Sequence, residues 1–338
     1  MKNDVMLKVE NLCTHFRLKG SHFFAPEQTV YAVDGVSFEI KSGMTFGLVG
    51  ESGCGKSTTA LSVLRLVEPT AGRIYFDGID ITGIHRKMLR EQRRHMQIIF
   101  QDPYSSMNPR ATAGDIVTAP LNIQNIGSPN KRAEKVSELF IQVGLRPEHK
   151  ALYPHQFSGG QRQRICVARA LASGARFIVC DEPVSALDVA IQAQILNLLI
   201  KLQEQFGLTY LFISHDVGVI QHMCDEVGVM YLGNIVEKAD RRSLFKNVMH
   251  PYTQALLSAV PTVDLKTRRS TERLKGDVPS PIHPPPGCHF HTRCPHAEVQ
   301  CMTKVPELKE ILPDHWVACH LAGMDGLVHS SKTRLIAS

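Results

Sequence analysis

Nowhere does the chain carry the ~18 consecutive apolar side chains that a helix needs to cross a bilayer, so no membrane span is expected. The opening stretch, MKNDVMLKVENL, lacks the apolar segment of a signal peptide, and a cytosolic location is the expectation. No segment recurs at a period of roughly 20 to 50 residues, which argues against solenoids and propellers. The net charge is only +6, with 32 acidic residues interspersed among the basic ones, so nucleic-acid binding is not expected. The nine cysteines include no C-x-x-C pair, which sets aside the zinc-finger and tight ferredoxin spacings. In a cytosolic chain they read as thiols or metal ligands, not as disulfides. Cys13, Cys54, Cys166, Cys180 and Cys224 are scattered, whereas Cys288, Cys294, Cys301 and Cys319 crowd towards the end.

What remains is the balance of an ordinary globular protein, 43% apolar and 21% charged, long enough at 338 residues for one large domain and a smaller one. Apolar runs alternate with helical patterns. Met44 to Val49 leads through a glycine-rich loop into a helix-like stretch, Ser57 to Leu66. Phe177 to Cys180 and Tyr210 to Ile213 are continuous apolar runs, as strands buried on both faces of a parallel sheet require. Between them Ile195, Leu198, Leu199 and Leu202 recur at helical spacing, with Gly207 as a stop. The fold class is α/β. Prolines at 103, 109, 120 and 129 mark an inserted, mainly helical segment, and those from Pro261 to Pro286 favour extended chain after His250-Pro251. The expected organisation is a nucleotide-binding domain at 1–250 with a helical subdomain at about 102–170, a proline- and cysteine-rich C-terminal domain at 251–325, and a flexible tail at 326–338.

Gly50-Glu51-Ser52-Gly53-Cys54-Gly55-Lys56-Ser57, followed by Thr58, fits the phosphate-loop pattern G-x-x-x-x-G-K-[ST]. Its glycines let backbone N–H groups curl around nucleotide phosphates, the following helix points its positive end at them, and Lys56 reaches the outer phosphates. Ser57 is a Mg²⁺ ligand in this reading. Asp181 and Glu182 stand at the end of a buried strand, where Asp181 suits an outer-shell hold on Mg²⁺ and Glu182 a general base for the attacking water. Ser158-Gly159-Gly160-Gln161, ahead of a helix expected at Arg162 to Leu171, is a second anion-binding helix start.

Ser158-Gly159-Gly160-Gln161, lying shortly before the acidic pair Asp181-Glu182, resembles the signature of the ABC family of ATPases, so the chain looks like a P-loop ABC ATPase with a helical signature subdomain. The resemblance covers about residues 7 to 250. It implies ATP and Mg²⁺ as cofactors and a head-to-tail pair in which the second helix start serves the partner's nucleotide. It also implies that Gln101 touches Mg²⁺ and the attacking water, that Asp188 lies in a loop crossing the pair, and that His215 contacts the γ-phosphate. Phe16 matches the position that stacks on adenine, with Tyr31 as its rival. Phe100 to Arg110, Tyr153-Pro154-His155-Gln156 and His250-Pro251-Tyr252-Thr253 resemble the oligopeptide/dipeptide importer ATPases, as do Gly287-Cys288-His289-Phe290 and the later cysteines. The long segment before Tyr31 looks like the second of that system's two ATPases.

That resemblance implies import of peptides, with nickel or another small solute as the alternative cargo and a soluble nucleic-acid ATPase as the more distant reading. The implied partners are a sister ATPase, two transmembrane permeases and an extracytoplasmic binding protein, with the chain peripheral on the cytoplasmic face of the inner membrane. Four thiolates at 288, 294, 301 and 319 suffice for a zinc ion or a [4Fe–4S] cluster. Some relatives carry the cluster there, which favours it over zinc.

Overall fold

The computed structural model describes residues 4–18, 27–258 and 276–323. The tail expected at 326–338 and most of the insertion between Leu18 and Thr29 lie outside the described residues. Strand β1 (Val5–Leu18) and β2 (Gln28–Lys41) form a long antiparallel pair, and β3 (Thr45–Val49) follows with all five residues buried. The phosphate loop delivers the chain into α1 (Lys56–Val63). Next come β4 (Ala71–Phe76), β5 (Ile79–Asp80), α2 (Arg86–Arg93) and β6 (Met96–Ile99).

The expected helical insertion is α3 (Ala113–Ile123), α4 (Pro129–Gln142) and α5 (Gly159–Ala172). Thr112 and Asp115 close a reciprocal cap on α3, and Pro129 opens α4, where its missing N–H costs nothing. Helix α5 begins three residues earlier than the apolar pattern indicates, because Ser158 caps it and draws both glycines into its first turn. The α/β alternation resumes with β7 (Phe177–Asp181), α6 (Val189–Phe206), β8 (Thr209–Ser214), α7 (Val217–Met223), β9 (Glu226–Tyr231) and β10 (Asn234–Asp240). Gly207, at φ 61, ends α6 in the left-handed conformation that glycine adopts without strain.

Two sheets result. One is antiparallel, in the order β2-β1-β4-β5. The other has a parallel centre, β9-β3-β8-β7-β6. A core between them includes Phe38 and Phe46, stacked with ring centroids 4.8 Å apart. Among the described residues no helix is long and apolar enough to cross a membrane.

The proline- and cysteine-rich segment expected from residue 251 packs, over its described residues, on the nucleotide-binding body. After α8 (Arg241–Lys246) and α9 (Pro251–Ser258), the chain from 276 adds α10 (Val299–Thr303), β11 (Lys309–Leu312) and β12 (His315–Val317) to the nucleotide-binding body. Strand β12 pairs with β10, and β11 with β12, which makes the large sheet eight-stranded. Phe290 and Tyr252, 1% and 0% exposed, pack on Tyr231 of β9. Each such aromatic contributes roughly 1.5–3 kcal/mol by leaving water.

Candidate functional site

The parallel strands bring their carboxyl ends to one edge. Val49 pairs with Ser214, and Asp181 with Ile213, so the segments leaving β3, β7 and β8 emerge side by side, with β6 next to β7. That edge is where open α/β sheets bind ligands. Gly55 holds φ 108 at the start of α1, and a Cβ there would lie 2.1 Å from the carbonyl of Ala32, so β2 backs the phosphate loop closely enough to demand glycine. No side chain caps α1, which leaves its first N–H groups for a phosphate. Lys56, buried, donates from Nζ to the carbonyls of Gly50 and Glu51 at 2.7 and 2.9 Å. Ser52, Gly53 and Ser57 are exposed on the rim, Thr58 is half-buried, and Cys54 is buried beneath, where burial pushes its thiol up.

Ser57 Oγ donates to Asp181 Oδ1 at 3.0 Å, joining the loop to the acidic pair. Burial raises the Asp181 carboxyl, with the Glu182 charge adding to the rise and the Ser57 hydrogen bond opposing it. Glu182 takes φ 47, a left-handed conformation costing roughly 1–2 kcal/mol in a residue with a side chain. Its N–H donates to the carbonyl of Ile213, which fixes the turn. The carboxylate then accepts from Gln101 Nε2 at 2.8 Å, while His215 Nδ1 lies 3.1 Å from its other oxygen. Phosphate loop, Asp181, Glu182, Gln101 and His215 are thus one connected group.

Ser158, Gly159, Gly160, Gln161 and Asp188 form a second group. The Ser158 hydroxyl accepts from Gln161 N at 3.3 Å, and Gln161 Oε1 accepts from Ser158 N at 3.0 Å. A Cβ on Gly160 would approach Ile191 Cγ2 at 2.6 Å, so the start of α5 lies against the start of α6, where Asp188 holds the N-cap position without a side-chain capping bond. Ser158, Gly159 and Asp188 are exposed, and among the described residues no hydrogen bond joins this group to the first. Phe16, 39% exposed, pairs across the strands with Val30, while the Tyr31 ring meets His15 edge-on at 4.8 Å.

Two contacts escaped the sequence. The Arg293 guanidinium donates to both oxygens of Glu51, at 2.7 and 3.1 Å, and Tyr252 Oη accepts from Glu51 N at 2.8 Å. Both residues belong to the C-terminal segment, and no spacing pattern relates partners 242 positions apart. The neighbouring cysteines gather loosely. Burial is the main reason that Cys288, Cys294 and Cys319 are raised, Cys294 to about 11, and the four thiols lie within charge range of one another. No three of them bring their sulfurs within 4.8 Å of one another.

Residues 33–185 match the ABC transporter family, and residues 236–301 match the oligopeptide/dipeptide transporter C-terminal region. The oligopeptide transport ATP-binding protein AppF of Bacillus subtilis is 50% identical over 321 residues, which cover 94% of this chain and 98% of that protein. A putative peptide import ATP-binding protein of Brucella ovis is 50% identical over 319 residues, with coverage of 94% and 98%. Among solved structures, the dimeric ATP-binding cassette MJ0796 in a post-hydrolysis state with ADP and Pi aligns at a TM-score of 0.62 and 30% identity, covering 70% of this chain and 99% of that one. With its phosphate loop, acidic pair and signature helix on that fold, the chain belongs to the ABC transporter family of ATP-hydrolysing subunits, on the oligopeptide/dipeptide transporter branch.

Proposed function

We propose that this ATPase energises the import of di- and oligopeptides across the cytoplasmic membrane, working as half of a head-to-tail pair with a sister ATPase. The carrying observation is the Glu182 carboxylate, held by Gln101 and His215 beside the Ser57–Asp181 pair. In this reading Lys56 and the loop N–H groups hold the phosphates, Ser57 and Gln101 ligate Mg²⁺, and Asp181 steadies it from outside. Glu182 takes a proton from the attacking water, Gln101 orients that water, and His215 contacts the γ-phosphate. Phe16 stacks on adenine, because among the described residues its ring makes no aromatic contact while that of Tyr31 is engaged by His15. Ser158 to Gln161 and Asp188 serve the nucleotide of the partner, since Ser158, Gly159 and Asp188 stand exposed and the group lies apart from this chain's own loop.

Residues 1–250 carry the nucleotide chemistry in this reading, and 251–325 the cysteine-bearing segment. The relatives named for peptide transport support the cargo. Two permeases and an extracytoplasmic binding protein complete the system, with this chain peripheral on the cytoplasmic face. Tyr104 and Tyr153, 48% and 42% exposed beside the helical insertion, suit docking of a permease's cytoplasmic helices. Cys288, Cys294, Cys301 and Cys319 suit a [4Fe–4S] cluster better than one zinc ion, because a tetrahedral zinc with bonds of about 2.3 Å draws its sulfurs within about 4 Å. A spread wider than one zinc ion takes leaves room for the larger group, which would cross-link the segment that holds it. The test is ATP-dependent uptake into proteoliposomes carrying the permeases and sister ATPase. A labelled tripeptide should accumulate, and uptake of Ni²⁺ without peptide would overturn the cargo.

A further inference from the structure

Outside the nucleotide site, the outer face of the β1–β2 pair gathers three side chains of different chemistry. Cys13 stands opposite Asp34 in the ladder, and His15 opposite Tyr31, with register shifts between Leu12 and Cys13 and between Thr14 and His15. Such irregularities re-aim side chains. Thr14, the residue between, turns the other way and hydrogen-bonds Ser62 of α1 at 2.8 Å. The Cys13 sulfur, a His15 ring nitrogen and an Asp34 oxygen all lie within 4.8 Å of one another. His15 Nε2 is 3.0 Å from Asp34 Oδ1, and Cys13 Sγ is 3.9 Å from the same oxygen.

We infer that Cys13, His15 and Asp34 form a binding site for a borderline divalent transition metal, of which Zn²⁺ is the type. A tetrahedral zinc, with Zn–S about 2.3 Å and Zn–N and Zn–O about 2.0–2.2 Å, sets neighbouring donors roughly 3.3–3.6 Å apart. The His15–Asp34 and Cys13–Asp34 separations differ from that by a few tenths of an ångström, within the reach of side-chain rotation. One thiolate, one imidazole and one carboxylate select zinc or cobalt over magnesium and calcium, which take oxygen donors. All three residues are half-buried, screened from bulk water yet accessible to an entering ion. The Cys13 thiol gives up its proton to the solvent as the metal–sulfur bond forms. Three protein donors leave a fourth position for water. Asp34 also lines a cavity of about 470 Å³, shared with His289 and Phe290 of the C-terminal segment, so the site borders the junction of that segment with the sheet. A bound ion therefore clamps β1 to β2, the strand whose Ala32 carbonyl backs Gly55 of the phosphate loop.

The test is a Co²⁺ and Zn²⁺ titration of the full-length chain without nucleotide, comparing the wild type with Cys13→Ser, His15→Gln and Cys294→Ser. The wild type should take up one equivalent with thiolate-to-cobalt charge-transfer absorption and tetrahedral ligand-field bands. Cys13→Ser should lose the charge transfer, and both Cys13→Ser and His15→Gln should weaken this equivalent by at least the 10–100-fold that loss of an outer-shell partner costs. Cys294→Ser should keep it, which separates this site from the C-terminal cysteines. Zinc should also raise the thermal midpoint of the wild type and leave that of Cys13→Ser unmoved. If Cys13→Ser fails to fold, His15→Gln decides alone. Equal uptake and spectra in the wild type and the folded β1 variants overturn the inference, as does uptake that disappears entirely in Cys294→Ser.

Discussion

Glu182 combines a left-handed backbone with a carboxylate gripped from two sides, an arrangement that spends local stability on orientation. Glu182→Gln keeps the shape and the Gln101 contact but removes the base. Nucleotide binding should persist while hydrolysis falls about 10²–10⁴-fold, as measured by phosphate release beside a binding titration. Turnover near the wild-type rate would remove Glu182 from the mechanism. The positions of Gln101, Glu182 and His215 could be named from the sequence, whereas their mutual contact depends on the register of three strands far apart in the chain. His250 was visible only as part of a phrase. Burial holds it down at about 4, from an ordinary 6.5, and its Nδ1 accepts from Tyr252 N at 3.1 Å, which requires an unprotonated nitrogen. The unfolded chain binds this proton more readily, so the contribution of His250 to stability is whole above pH 6.5 and drains as pH falls towards 4. Complete loss amounts to roughly 3 kcal/mol. Urea midpoints between neutral and acid pH should show that decline, and His250→Gln should flatten it.

Among the elements, β3, β7, β8 and α6 were legible because continuous apolar runs and helical spacing are written locally. The attachment of the C-terminal segment was not, because β12 has only three residues and its partner β10 lies far upstream. What holds that junction is Glu237 of β10, itself 0% exposed. Its carboxylate accepts from Met249 N and His250 N at 2.9 and 3.0 Å and lies 2.8 Å from His315 Nε2 of β12. Glu237→Ala strands three buried polar partners and should lower unfolding free energy by about 3–5 kcal/mol, read by denaturant titration. A loss below 1 kcal/mol would show that β12 is held by packing alone. At the start of α5, Ser158→Arg should leave ATP affinity of the isolated chain unchanged while abolishing ATP-dependent pairing with the sister subunit, visible by size-exclusion chromatography. Normal pairing by this variant would mean that the second group of residues does not serve a partner's nucleotide.

At the scale of the whole molecule, the two groups of candidate site residues stay apart, and the last described strands are stitched into an eight-stranded sheet. Composition and proline placement mark where the chain changes character after residue 250, but not what that later chain lies against. The Arg293–Glu51 pair, with the Arg293 side chain only 5% exposed, joins a position beside Cys294 to the loop that holds phosphate. Arg293→Gln should weaken ATP binding about fivefold or more, by equilibrium titration. That shared guanidinium makes the two regions thermodynamically reciprocal: any factor by which an ordered cysteine segment tightens ATP is the factor by which ATP must order the segment. Saturating ATP should therefore slow alkylation of Cys288 and Cys319 in the wild type and not in Arg293→Gln, followed by mass spectrometry. Nucleotide occupancy should then be legible at the thiols and damage to the thiols legible at the nucleotide, so oxidation of the cysteine segment should show as a lowered appetite for fuel.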